Sequence, residues 1–301
     1  MNKKTCILLT GPTAIGKTAV AIQIALHYKT SIISADSRQC YKEMTIGVAK
    51  PTPEQLQMVP HYFINSHSIT EEVNAAGFEQ YALDAVKKIF EKNDIAVMAG
   101  GTGLYIKAFC EGLDTIPTID PAIRNEVTQH YEQKGKQWLQ EQIKEKDPLF
   151  YEEGEIENPQ RLMRALEVKL STGISIREYQ QGKKVERDFR IVKIGLELPK
   201  DLLHEQINQR VDQMMQDGLL NEVKTLYTSR SLNALQTVGY NELFSYLDGI
   251  GSLEEAVDLI KQHTRQYAKR QITWFKKESI EKMFDPRLIS PIIEFIDEKL
   301  R

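Results

Sequence analysis

Three short apolar runs, each followed by a glycine-rich or polar turn, punctuate the first hundred residues: Cys6–Thr10, Ser31–Ser34 and Ile95–Ala99. Runs of this length, bounded by turn residues, predict buried strands. Helical spacing lies between them. Ala19, Ile22, Ala25 and Leu26 predict a helix over Thr18–Tyr28, and Phe78, Tyr81, Ala82, Ala85 and Ile89 another over Gly77–Glu91. Strands alternating with helices predict an α/β fold, a parallel sheet flanked by helices. Ligands of such sheets sit at the carboxyl ends of the strands, so the residues just after each run are the candidates for chemistry.

The pattern changes near Pro117. Residues 117–187 are helical and charge-rich with no β-rich run, and Asp120-Pro121 and Asn158-Pro159 each read as an N-cap with proline in the first turn. Strand character returns at Ile191–Leu198, and four or five helices follow, the longest over Leu253–Lys277. The expected organisation is a catalytic core of residues 1–116 and 188–301 with an inserted all-helical lobe of residues 117–187.

Composition narrows the class. With 301 residues and 41% hydrophobic content the chain can bury a sizeable core, and a net charge of −3 gives no general attraction for nucleic acid, so any such partner must meet a local patch. Cys6, Cys40 and Cys110 form no C-x-x-C pair, and His27, His61, His67, His130, His204 and His263 show no metal spacing. The start Met1-Asn2-Lys3-Lys4 is basic, but the apolar run behind it is short, so it predicts a core strand and not a signal peptide. No stretch is apolar for long enough to span a bilayer. A cytoplasmic protein is expected.

The turn after the first strand is Gly11-Pro12-Thr13-Ala14-Ile15-Gly16-Lys17-Thr18, a G-x-x-x-x-G-K-[ST] phosphate loop between strand and helix, as in P-loop NTPase-like folds. Its backbone amides converge on an anion, Lys17 adds a positive charge, and the Thr18 hydroxyl is placed to hold Mg²⁺. Asp36 follows the second strand, where a carboxylate binds Mg²⁺ through water, takes a proton from a nucleophile, or simply caps a turn. Gly100-Gly101-Thr102-Gly103 follows the third, with Thr102 as its one hydrogen-bonding side chain. In the inserted lobe Gln160, Arg161 and Arg164 open a helix, the two arginines on one face, suited to phosphates or a base edge or simply to solvent. Near the C-terminus Lys261, Arg265 and Lys269 recur on one helical face. Residues 258–282 hold seven basic and three acidic side chains, interleaved with Tyr267, Trp274 and Phe275. Either the face meets RNA, or its charges face water and its aromatics the core.

Together these segments resemble the tRNA dimethylallyltransferase (tRNA prenyltransferase) family. The matching pieces, in the family's order, are GPTAIGKT at 11–18, ADSRQCY at 35–41, IGVAKP at 46–51, AGGTGLY at 99–105, NPQRLMRALEV at 158–168, RVDQM at 210–214, VGYNE at 238–242 and KRQITWF at 269–275. The resemblance implies transfer of a dimethylallyl group from dimethylallyl diphosphate to N6 of the adenosine 3′ of the tRNA anticodon.

By that resemblance Asp36 is the general base, and Thr102 orients the adenine or the Asp36 carboxylate. Lys17 with the rest of residues 11–18, Mg²⁺ at Thr18, and Arg210 stabilise the departing diphosphate. The tRNA anticodon stem-loop is touched by Asp36, Ser37, Arg38, Gln39, Thr102, Arg124, Gln160, Arg161, Leu162, Met163, Arg164 and Gln236, with residues 235–240 as a further contact. The target base must be extruded from its stack to be reached, which suits a clamping lobe. No protein partner is expected, nor the zinc-finger extension of some eukaryotic relatives. A free adenine nucleotide as acceptor, and a P-loop small-molecule kinase with the inserted lobe as its lid, are the alternatives.

Overall fold

The computed structural model describes residues 4–301, so Met1, Asn2 and Lys3 of the basic start lie outside the described residues. Among the described residues six strands, β1 (Thr5–Thr10), β2 (Ile32–Ala35), β3 (His61–Tyr62), β4 (Ile95–Gly100), β5 (Arg190–Leu196) and β6 (Lys282–Phe284), form one sheet in the order β3-β2-β4-β1-β5-β6. Every pairing is parallel. The helices of the first half are α1 (Lys17–His27), α2 (Pro53–Met58), α3 (Ala75–Phe90) and α4 (Gly103–Glu111). Helices α5 (Pro121–Lys146), α6 (Pro148–Glu153), α7 (Pro159–Thr172) and α8 (Ile176–Tyr179) follow. The second half holds α9 (Lys200–Gln216), α10 (Leu219–Leu226), α11 (Tyr240–Leu247), α12 (Leu253–Phe275) and α13 (Ile289–Leu300).

β1 is buried throughout, flanked by β4 and β5, which explains its unbroken apolar run. Ile7, Leu9, Val97, Val192 and Ile194 pack with Ile24 of α1, Ile207 of α9 and Ile292 of α13 in one core. The register sets Thr10 beside Gly100, and Gly100 beside Ala35. A Cβ on Gly100 would lie 2.2 Å from the Ala35 carbonyl oxygen, so glycine is what lets β2 and β4 end level. The phosphate loop, Asp36 and Gly101 thereby leave the sheet at one edge. The two short strands β3 and β6 lack a period long enough to read from sequence, and α2 carries no buried face.

Residues 111–185 form a second compact unit, all helical, and the remainder forms the first. Its core includes Leu139, Ile143, Leu162 and Leu166. Asp120 caps α5 through the Ala122 amide, and Asn158 caps α7 through the amides of Gln160 and Arg161. Helix α5 breaks at Gly135, whose φ is 74°. The unit starts before Pro117 and ends before Arg187. The entering and leaving chains are joined by a Val185 amide to Glu111 carbonyl bond (2.8 Å), while Arg187 is held in the first unit by Glu79 (2.6 Å) and the Ala108 carbonyl (2.8 Å).

Candidate active site

The phosphate loop wraps the start of α1, where Gly16 takes the left-handed N-cap position at φ 91°, a conformation that favours glycine. Amides that open a helix are unpaired within it and suit an anion. Lys17 curls over its own loop and donates to the carbonyls of Gly11 (2.9 Å) and Pro12 (2.7 Å). Burial, then the charge of Arg210 from α9, lowers the Lys17 ammonium to about 7, and Asp36 opposes the shift. Burial likewise lowers Arg210, again opposed by Asp36. Two cations and one carboxylate therefore converge on a chamber of about 210 Å³ bordered by the phosphate loop, Gln39 and Gly101.

Asp36 does two things at once. Its Oδ1 accepts from the amides of Arg38 (2.9 Å) and Gln39 (3.3 Å), which closes the turn after β2. The same residue borders the phosphate chamber and a second chamber of about 240 Å³. Thr102 fixes that turn, its Oγ1 accepting from the Ser37 amide (3.1 Å) and its own amide donating to the Ala35 carbonyl (3.2 Å). Thr102 thereby bonds to both neighbours of Asp36 in the chain. Tyr267 of α12 also borders both chambers, with its phenol pushed up to about 12 by burial and by the charge of Asp36. Val48, Val211, Met214, Val238 and Ile260 give the second chamber an apolar lining.

Sequence reasoning assigned no role to Gln271. This buried α12 side chain accepts from the Thr13 amide (2.7 Å) and donates to the Gly101 carbonyl (2.9 Å), clamping the phosphate loop to the loop after β4. A Cβ on Gly101 would lie 2.2 Å from the Gln271 Nε2. The only signal was its place in the KRQITWF run.

The other expected contacts fall into two groups. In the first unit, Arg38 donates to the carbonyls of Asn233 (2.9 Å) and Gln236 (3.4 Å), and Gln39 to those of Val48 (3.3 Å) and Ala49 (3.0 Å). The Gln236 side chain is exposed, while Leu235 and Tyr240 are buried. In the second unit, Arg161 pairs with Glu155 (2.9 Å), and Arg124 (3.8 Å) and Arg164 (3.4 Å) both face the buried Glu167. Leu162 and Met163 are both buried in that unit's core, behind the polar face of α7. They fall on the apolar side of α7, pointing away from Arg161 and Arg164.

Two members of the basic face of α12 have partners within the chain. Lys261 pairs with Asp212 (2.6 Å) and Arg265 donates to Asn208 (2.6 Å), so both brace α12 against α9. Phe275 enters the core as expected, Trp274 packs on Gly103, and Tyr267 departs from that pattern by lining the chambers.

Comparison with known proteins gives a consistent answer. A family model described as IPP transferase matches residues 39–278. The chain is 45% identical over 295 residues to the tRNA dimethylallyltransferase of Christiangramia forsetii, covering 98% of each chain. It is 43% identical over 298 residues to that of Cytophaga hutchinsonii, covering 99% of this chain and 98% of the relative. Among solved structures, the full-length tRNA isopentenylpyrophosphate transferase from Bacillus halodurans matches with a TM-score of 0.72 at 35% identity, over 99% of this chain and 97% of the other. A eukaryotic dimethylallyltransferase, described as acting on tRNA, matches with a TM-score of 0.74 at 26% identity, over 90% and 70%.

Proposed function

The chain belongs to the IPP transferase family, and from that premise we propose that it takes a dimethylallyl group from dimethylallyl diphosphate to N6 of the adenosine 3′ of the anticodon. Transfer of a dimethylallyl group to adenosine in tRNA is the reaction of its relatives. The observation that carries the finer reading is the position of Asp36, shared by a cationic phosphate chamber and a second, more apolar one.

In this reading the diphosphate lies in the phosphate chamber. As the allylic carbon–oxygen bond breaks, its electron pair passes to the diphosphate, and the loop amides, Lys17 and Arg210 stabilise the growing charge. The N6 lone pair attacks the allylic carbon, the carbon–nitrogen bond forms, and Asp36 takes the N6 proton. The adenine amine is a weak nucleophile because its lone pair is delocalised into the ring, so proton removal belongs with bond formation. Thr102 acts by holding Ser37 and thus the Asp36 turn.

The donor set suits Mg²⁺ that arrives with the diphosphate. Thr18 and Asp36 both border the phosphate chamber, and among the described residues no cluster of three or more metal-ligating side chains forms a closed cage. When bound there, the ion supplies neutralising charge to the leaving group.

Gln160, Arg161, Arg164 and Arg124 are assigned to the anticodon stem-loop, together with Ser37, Arg38, Gln39 and Gln236. Three buried free cysteines support a reducing, cytoplasmic setting, and no helix among the described residues is long and apolar enough to cross a membrane. A monomer suffices for the chemistry.

The test is mass spectrometry of a nucleoside digest after incubating unmodified tRNA with the protein, Mg²⁺ and dimethylallyl diphosphate. One dimethylallyl group gained on adenosine, and lost with Lys17→Ala, is expected. Product on free AMP but not on tRNA would overturn the acceptor. ATP consumption without prenylation would favour the kinase alternative.

A further inference from the structure

Two irregular segments border the second chamber: Gly47 with Val48, and Thr237 to Gly239. A side chain outside that lining ties them together. Glu222 of α10 accepts at Oε2 from the amides of Thr45 (2.9 Å) and Ile46 (2.8 Å). Its Oε1 accepts from the amide of Gly47 (3.0 Å) and the hydroxyl of Tyr240 (2.6 Å). Three successive amides aimed at one point form a nest that binds an anion, and here the anion is the protein's own carboxylate. Tyr240 opens α11 directly after Gly239 and is wholly buried. Its ring occupies the space a side chain at Gly47 would need, since a Cβ there would lie 2.5 Å from Tyr240 Cε2. Glu242 completes the second segment by accepting from the Gly239 amide (2.7 Å).

We propose that Glu222 is a positioning residue for the acceptor base: by joining residues 45–47 to Tyr240 it sets the gap between the two segments in which the extruded adenine is gripped. This rests on the proposed tRNA reaction, with the diphosphate in the phosphate chamber and the adenine in the second. The carboxylate touches no reactant. Only a carboxylate satisfies the arrangement, because all four of its partners donate and an amide nitrogen in place of either oxygen would face two of them. A flat base held between two loops is sensitive to their spacing, and a misplacement of about 1 Å costs up to roughly a hundredfold in rate.

The test uses the full chain with an anticodon stem-loop substrate, comparing Glu222→Gln, Tyr240→Phe and the double variant with wild type. Thermal unfolding fixes a temperature at which each is folded. Glu222→Gln is expected to lower kcat/KM for the stem-loop roughly 10- to 100-fold. Affinity for inorganic diphosphate alone should stay within about twofold, since that chamber is built elsewhere. Tyr240→Phe should give a smaller loss of the same kind, and the double variant little more than Glu222→Gln, because the pair acts as one unit. A melting temperature that falls while kcat/KM for the stem-loop holds would reduce Glu222 to a stabilising role and overturn the proposal. Equal losses for diphosphate and stem-loop would overturn it too. Wild-type protein that prenylates no tRNA would instead refute the underlying reaction, and the adenine assignment with it.

Discussion

Gln271→Met tests whether the phosphate loop is shaped from outside itself. Methionine keeps the length and volume of the side chain but removes both hydrogen bonds, the one from the Thr13 amide at 2.7 Å and the one to the Gly101 carbonyl at 2.9 Å. Each partner left unsatisfied in a buried place costs about 1–3 kcal/mol, so the pair is worth about 2–4 kcal/mol once the loops relax. If the whole cost falls on global stability, the melting temperature drops by roughly 3–8 °C. If the loops shift instead, the cost appears as weaker use of dimethylallyl diphosphate, at about tenfold per 1.4 kcal/mol. Gln271→Glu keeps an acceptor for Thr13 but loses the donor to Gly101 and adds negative charge beside the diphosphate. It should therefore harm diphosphate use more than methionine does while costing less stability. Thermal denaturation and kcat/KM for dimethylallyl diphosphate, measured on both variants, separate these terms. A methionine variant with unchanged melting and kcat/KM within twofold would refute the clamp.

Gly101→Ala should reproduce the loss of Gln271→Met, because the new methyl displaces Nε2, and the same two measurements check it. Lys17 is held to about 7 in the folded chain, below its ordinary value of 10.5, so between those values the unfolded chain binds the extra proton and stability rises with pH across that window. Diphosphate should reverse this by favouring the ammonium, so calorimetry at pH 8 in buffers of different ionisation enthalpy should report proton uptake on binding; none would contradict the coupling. Arg161→Ala and Arg164→Ala should each weaken tRNA binding and flatten its salt dependence, the slope falling by up to about 0.9 for each phosphate that is no longer neutralised. Leu162→Ala should instead destabilise the helical unit by about 2–5 kcal/mol, seen as lower thermal stability.

The parts legible in the sequence are those whose chemistry is local. The phosphate loop is a contiguous run whose glycine and lysine spacing follows from one turn, and β1, β2 and β4 are continuous apolar stretches because they are buried on both faces. The caps at Asp120 and Asn158 read directly because cap and proline are neighbours. Interactions that close only in three dimensions did not read. Gln271 lies 258 residues from Thr13 and 170 from Gly101, and Glu222 lies 177 from Thr45. The burial of Leu162 and Met163 did not read either, because resemblance carries a whole motif across, whereas the helix sends alternate parts of it to core and solvent. The pairings of Lys261 and Arg265 were not legible because their partners, Asp212 and Asn208, sit on another helix.

The central claim, that Asp36 receives the N6 proton where the two chambers meet, is tested most directly by single-turnover transfer with Asp36→Asn. Asparagine keeps an oxygen for the amides of Arg38 and Gln39, so the turn survives while the base is lost. The predicted result is a chemical step slowed roughly a hundredfold or more, with tRNA and diphosphate affinities little changed. A single-turnover rate near that of wild type would contradict the account.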